Sequence, residues 1–161
     1  MDHLLFKNGM RRLASGVSLI TTERDGVRHG MACTSVTSVS AEPPTVLVCI
    51  NKNASSHDHI EASGIFCVNL LSSADRHIAS AFSSSADRET RFRNGEWVPL
   101  ATGAPALLTA EASFDCRVVE KISIHTHTIF VGAVVAAELS KSGMVPLVYH
   151  DGTYSTVAAV A

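Results

Sequence analysis

Polar and apolar positions alternate with the period of a strand along most of this chain, and break into helical period in a few short stretches of its first half. Phe6, Met10, Leu13, Ala14 and Val17 recur at helical spacing with Lys7, Arg11 and Arg12 opposite, which predicts an amphipathic helix ending near Gly16. "VSLITTE" predicts a strand, and Asp25-Gly26 a tight hairpin turn. The returning strand is "GMACTSVTSVSAEPP", Gly30 to Pro44, with hydroxyls on both faces at Thr34, Ser35, Thr37, Ser38 and Ser40. Two prolines end it, and "TVLVCI" follows as a buried, β-branched strand. In "NKNASSHDHIEASG", Ser55 or Ser56 is placed to cap a short helix that Gly64 closes. "IFCVNLL" is another strand and "SSADRHIASAF" another capped helix, after which residues 83–104 form a long polar excursion. "PALLTAEASFDCRVVEKI", "THTIFVGAVVAAEL" and "VPLVYHDGTYSTVA" complete the pattern as strands.

Six or seven long strands with two or three helices inserted early, no strand–helix alternation and no repeat predict a mainly β fold, an antiparallel barrel with helical excursions. The 161 residues fit a single domain, 1–161, with one core. Charged residues make up only 17% against 46% hydrophobic, so part of the apolar surface is expected to be covered by another subunit. The net charge of −2 without a basic block argues against nucleic acid and against anionic lipid. The first residues place an acid before, and basic residues after, the apolar stretch, the reverse of a signal peptide, and no apolar run reaches membrane length. Cys33, Cys49, Cys67 and Cys116 are widely spaced in strand-like stretches without a CxxC, as expected for reduced thiols in the cytoplasm.

The chemistry-bearing residues cluster weakly. If the hydroxyl strand pairs with "TVLVCI", then Thr34, Ser35, Asn51, Ser55 and Ser56 converge at one end of the barrel. Hydroxyls, backbone N–H groups and a helix start could cradle a phosphate there, with Lys52 close by. Taken alone, the same residues fit a solvated edge and an ordinary cap at least as well. No GxGxxG or Walker loop is present, so a nucleotide-like ligand would be held by side-chain hydroxyls and main chain. His125 and His127 share one side of a strand, yet no third and fourth ligand is placed by spacing, and no metal is expected. Neither GxSxG nor a reactive-thiol context offers a hydrolase its nucleophile.

Seven stretches in order, "FKNGMRRLASGVSLITTE", "HGMACTSVTSVSAEPPTVLVCIN", "GIFCVNLL", "FRNGEWVPLATGAPAL", "FDCRVVE", "HTHTIFVGAVV" and "PLVYHDGTY", resemble the short-chain flavin reductases over nearly the whole chain. These are the reductase components of two-component flavin-dependent monooxygenases acting on phenol or 4-hydroxyphenylacetate. The resemblance implies an FMN-binding split β-barrel, a homodimer with flavin near the subunit interface, and hydride transfer from NADH or NADPH to FMN or FAD for a partner monooxygenase. It implies that Thr34, Ser35 and Val36 line the flavin ring and ribityl chain, that Cys49, Ile50 and Asn51 pack along it, and that Ser55 and Ser56 reach the phosphate. Phe82 falls where a family loop touches the flavin; His127 and Tyr154 fall beside the nicotinamide, with His127 the catalytic candidate. The family usually has Gly-Asp-His, or Gly-Thr-His in the hydroxyphenylacetate class, where this chain has His125-Thr126-His127, and often Tyr-His where it has Tyr154-Ser155. A flavin carrier of the same barrel, without NAD(P)H turnover, is the alternative.

Overall fold

The computed structural model describes residues 2–84, 88–141 and 145–159. Helix α1 (His3–Met10) precedes a short β1 (Ser15–Gly16), β2 (Ser18–Arg24), β3 (Val27–Cys33), β4 (Val36–Ala41) and β5 (Pro44–Asn51). Then come α2 (His57–Ser63), β6 (Ile65–Leu70), α3 (Arg76–Ser83), β7 (Trp97–Pro99) and β8 (Pro105–Leu107). The long strands β9 (Ala112–Ile124) and β10 (His127–Leu139) follow, and a small hairpin, β11 (Val148–His150) and β12 (Thr153–Ser155), closes the order.

Seven strands form one antiparallel sheet in the order β3-β2-β6-β9-β10-β5-β4. Its two edges, β3 and β4, are consecutive in the chain and joined only by Thr34 and Ser35. Three peptide steps from Cys33 to Val36 span at most about 11 Å. The link therefore forces the opposite edges together at one end, and the sheet curls into a split β-barrel. The hydroxyl segment is thus two strands with a seam between them, where the sequence pattern predicted one. Inside, Ile20, Val48, Ile50, Phe66, Val68, Cys116 and Phe130 form the barrel core. Gly132 sits where any Cβ would strike Phe66 and Cys116, so the large ring on β6 needs a glycine opposite it on β10.

A second cluster, Val17, Leu19, Leu71, Ile78, Phe82 and Leu107 with partly buried Phe92, Trp97 and Tyr154, seats α3 and the excursion after it against the barrel. Where described, that excursion is tethered rather than loose: Phe82, Phe92 and Trp97 pack ring against ring, and the buried Arg91 donates to the carbonyls of Gly30 and Ser84. Residues 85–87 of the excursion lie outside the described residues. Buried Asn69 ties β2, β6, β8 and β9 together through Leu19, Thr21, Leu107 and Ser113, a satisfied polar network inside the fold.

Helix α1 is shorter than its periodicity predicts. It ends at Met10, no residue in it is buried, and Ser15–Gly16 is already a strand pairing with β11. Val17 leaves the helical register because the backbones of Leu71 and Leu147 capture it in the sheet.

Candidate active site at the barrel seam

The β4–β5 register brings the ends of two strands to the seam. Val36 opposes Val48, and the Cys49 N–H donates to the Ser35 carbonyl at 3.1 Å. Cys49, Ile50 and Asn51 therefore run beside Thr34, Ser35 and Val36. On the other side of β5, Asn51 pairs directly with His127, the first residue of β10. The Lys52 N–H donates to the Thr126 carbonyl and its Nζ to Ser123, closing the β9–β10 turn against the β5 end. The hydroxyl seam, the Cys49–Asn51 strand end and His127 thus share one end of the barrel.

The side chains divide by burial. Thr34 and Ser35 are exposed, Val36, Cys49 and Asn51 half-buried, and Ile50 fully buried in the barrel core. Asn51 accepts from the Asn53 N–H at 2.8 Å, shaping the turn toward Ser55 and Ser56. Gly64 closes α2 in the left-handed region, but Ser56 caps nothing at its start. Its Oγ is completely buried and has no hydrogen-bond partner. Phe82 is also buried, among Phe92, Trp97 and the Arg91 guanidinium, and does not wall the seam. His127 is half-buried with Nδ1 2.9 Å from Thr126 Oγ1. Tyr154 approaches from β12: with Cys33, Thr34 and Tyr149 it lines a depression of about 360 Å³, and its hydroxyl lies 3.3 Å from Ser83 Oγ.

Thr34 also opens onto two further hollows. One, about 630 Å³, runs past Ser35, Val36 and Thr37 to Phe6, Met10 and Leu13 of the first helix and its trailing turn. The other, about 710 Å³ and mostly apolar, reaches Leu70, Phe114 and Val134. The seam is therefore a junction of grooves with hydroxyls at its centre and apolar walls. Lys7 and Arg11 line the groove on the side of the first helix.

Four residues outside the sequence-predicted set stand out. His57 is buried with Nε2 on Thr128 Oγ1 and Nδ1 on Asp58 Oδ1, both at 2.8 Å, which pins α2 to β10. Its atoms and those of Asp58 and Glu61 lie within 4.8 Å of one another, but His57 is spent on these bonds and Glu61 on Lys121. His29 and His59 stack face to face, centroids 3.3 Å apart. Their positions, one on a strand and one on a helix thirty residues later in sequence, carry no spacing signal that could have paired them. His125 takes φ 48° in the two-residue β9–β10 turn, the left-handed conformation in which glycine costs least.

Residues 10–158 match the profile of the flavin reductase like domain. The chain is 38% identical over 154 residues to the FMN reductase (NADH) RutF of Pseudomonas syringae pv. syringae, covering 96% of this chain and 86% of that protein. Its fold superposes with a TM-score of 0.93 at 35% identity on a flavin reductase-type structure from Haemophilus somnus 129PT, covering 98% of this chain and 100% of the other. BorF, the flavin reductase component of a bacterial two-component tryptophan halogenase, superposes with a TM-score of 0.88 at 31% identity, covering 99% and 100%.

Proposed function

The chain belongs to the flavin reductase-like family, and from that premise we propose that its reaction takes place at the seam between β3 and β4. It is an NADH-dependent flavin reductase that supplies reduced flavin to a separate flavin-dependent component. The observation that carries the site reading is the junction at Thr34: hydroxyls and apolar walls, with Lys7 and Arg11 along the groove toward the first helix, and His127 beside Asn51.

The residues fit a flavin. A flat ring with a polar edge wants hydrogen-bonding groups on one rim and apolar faces, and Thr34, Ser35 and Val36 offer both. Cys49 and Asn51 flank the ring's path, while Ile50 acts from within the core, holding the strand in place. The orphaned Ser56 Oγ, with Ser55, is placed to donate to the phosphate end. Bound flavin supplies the acceptor for a hydride from the nicotinamide. The chain's own part is to hold the two rings in register, a positional task worth several orders of magnitude in rate. His127, half-buried and oriented through Thr126, borders the nicotinamide, as does Tyr154 from the hollow it shares with Thr34. Phe82 acts at one remove, through Arg91 and the packed excursion.

The exposed apolar face of α1 supports a homodimer. Leu4, Leu5, Phe6 and Met10 are exposed, and Phe6 and Met10 share a groove with the seam. A second subunit seated there would complete the flavin site. Four free cysteines support a cytoplasmic setting, and no described helix is long and apolar enough to cross a membrane. NADH consumption measured with and without added FMN tests the reading: the enzyme turns over NADH only with flavin. Flavin binding with no NADH consumption would leave a carrier instead.

A further inference from the structure

The buried imidazole of His57 takes no part in the chemistry proposed for the seam, yet both of its nitrogens are engaged. As the first residue of α2 it sets Nδ1 2.8 Å from Asp58 Oδ1 and Nε2 2.8 Å from Thr128 Oγ1. A carboxylate only accepts, so Nδ1 carries the proton, and in the neutral ring Nε2 accepts from the Thr128 hydroxyl. The Phe130 ring packs tilted against the imidazole, with centroids 5.4 Å apart.

This bond joins the two halves of the site. His57 directly follows Ser56, and Ser55 and Ser56 form the turn proposed to meet the flavin phosphate. Thr128 directly follows His127, the residue proposed to border the nicotinamide. One peptide step therefore lies on each side of the hydrogen bond. Thr128 is buried opposite Ile50 of β5. Side chains alternate along a strand, so His127 faces the other way, beside Asn51. An anchor on Thr128 from the core side thus sets the direction of His127 on the seam side. His127 is the first residue of β10 and adjoins the turn in which His125 takes φ 48°. Strand ends open more readily than strand centres, and this one has its anchor one residue in.

We propose that His57 is a positioning residue: through Thr128 it holds His127 in register with the flavin turn, so that the two rings meet at hydride-transfer distance. The proposal rests on the reductase reading and adds to it a residue that touches neither ring. An apolar side chain would pack α2 on β10 as well as His57 does, and would lose only the hydrogen bond. A misplacement of about 1 Å costs on the order of 100-fold in rate, and loss of this bond in a strand still paired on both sides costs about tenfold.

The test breaks the bond from each side in the full chain, with Thr128→Val and His57→Leu, so that either variant suffices if the other fails to fold. Thr128→Ser and His57→Gln keep it, the glutamine amide reaching the place of Nε2. Flavin bleaching on rapid anaerobic mixing with saturating NADH is read beside the FMN dissociation constant and thermal unfolding. The expected result is bleaching about tenfold slower in the bond-breaking variants, FMN affinity within about twofold of wild type, and recovery to within about threefold in the bond-keeping ones. In a His127→Ala background, Thr128→Val should slow bleaching no further, because its effect passes through that ring. Equal slowing with and without His127, a wild-type rate in a folded bond-breaking variant, or no recovery in Thr128→Ser overturns the proposal. Glu61→Gln frees another tie of α2, to Lys121 of β9 at 3.1 Å, and should leave the rate unchanged. A matching loss there would make His57 a general fastening of the helix and would overturn the proposal too. Long-range proton–nitrogen correlation spectra of the histidine rings report the coupling without turnover. Thr128→Val should move the His127 ring signals along with those of His57; unmoved His127 signals contradict the coupling. A protein that bleaches no flavin but shows that movement keeps the coupling and loses the reductase reading, so the two fail separately.

Discussion

Ser56 shows at the scale of one residue how a binding role can be separated from a folding role. A buried hydroxyl without a partner costs about 1–3 kcal/mol, so Ser56→Ala should leave thermal stability unchanged or raise it. The Ser55→Ala/Ser56→Ala pair should meanwhile weaken FMN binding by about 1–3 kcal/mol. An unaltered flavin dissociation constant in the pair would remove both from the site. His127 calls for a different readout, because its role is positional. His127→Ala should raise the NADH KM and slow flavin reduction by up to about 100-fold, with flavin affinity little changed. Normal kinetics, or joint loss of flavin affinity and fold, would make it a structural residue. The sequence pattern expected Thr34, Ser35, Asn51, Ser55 and Ser56 at one end of the barrel; strand pairing, which follows from local order, sets Thr34 and Ser35 beside the end of β5 that carries Cys49 and Asn51. The pattern could not show that Ile50 and Phe82 lie inside the core, since an apolar residue in a site and one in a core look alike along the chain.

Among the elements, the tight turns were the most legible. Asp25-Gly26 at φ 54° and 78° joins β2 to β3 where the dipeptide predicted it, because few residues tolerate that conformation. His125 is the informative exception: φ 48° at a non-glycine residue costs about 1–2 kcal/mol, against about 0.5–1 kcal/mol of chain entropy for glycine. His125→Gly should therefore stabilise the β9–β10 hairpin by roughly 0.5–1 kcal/mol, visible as a higher Tm; a lower Tm would mean the imidazole makes a contact that outweighs the strain. The seam between β3 and β4 was not legible, since the alternation runs on through Thr34 and Ser35 and only the sheet order shows that the strand must break there. Helix α1 was over-read at its C-terminal end for a related reason. Val17 fits the helical stripe and the barrel core equally well, and long-range backbone bonds decided for the core.

For the molecule as a whole, the low charge fraction finds its counterpart in the bare face of α1. Sedimentation should give a dimer at micromolar concentration, and Leu5→Glu with Met10→Glu should shift it to monomer while weakening flavin binding; a wild-type monomer with and without flavin would contradict this. The thiols add a check on the fold itself. Burial and the Asp115 carboxylate push Cys116 up to about 12 and raise Cys67 further, so a disulfide reagent at neutral pH should reach half-buried Cys49 first and these two only on unfolding. Rapid native modification of all four would mean the barrel opens far more readily than its packing implies. The central claim, that the chain passes hydride from NADH to flavin at the seam, is met most directly by anaerobic mixing of the protein with FMN and NADH carrying deuterium at the transferable position. The oxidised flavin should bleach at a rate set by protein concentration, slowed by the deuterium, and slowed again in His127→Ala. Bleaching no faster than in a protein-free mixture would contradict it.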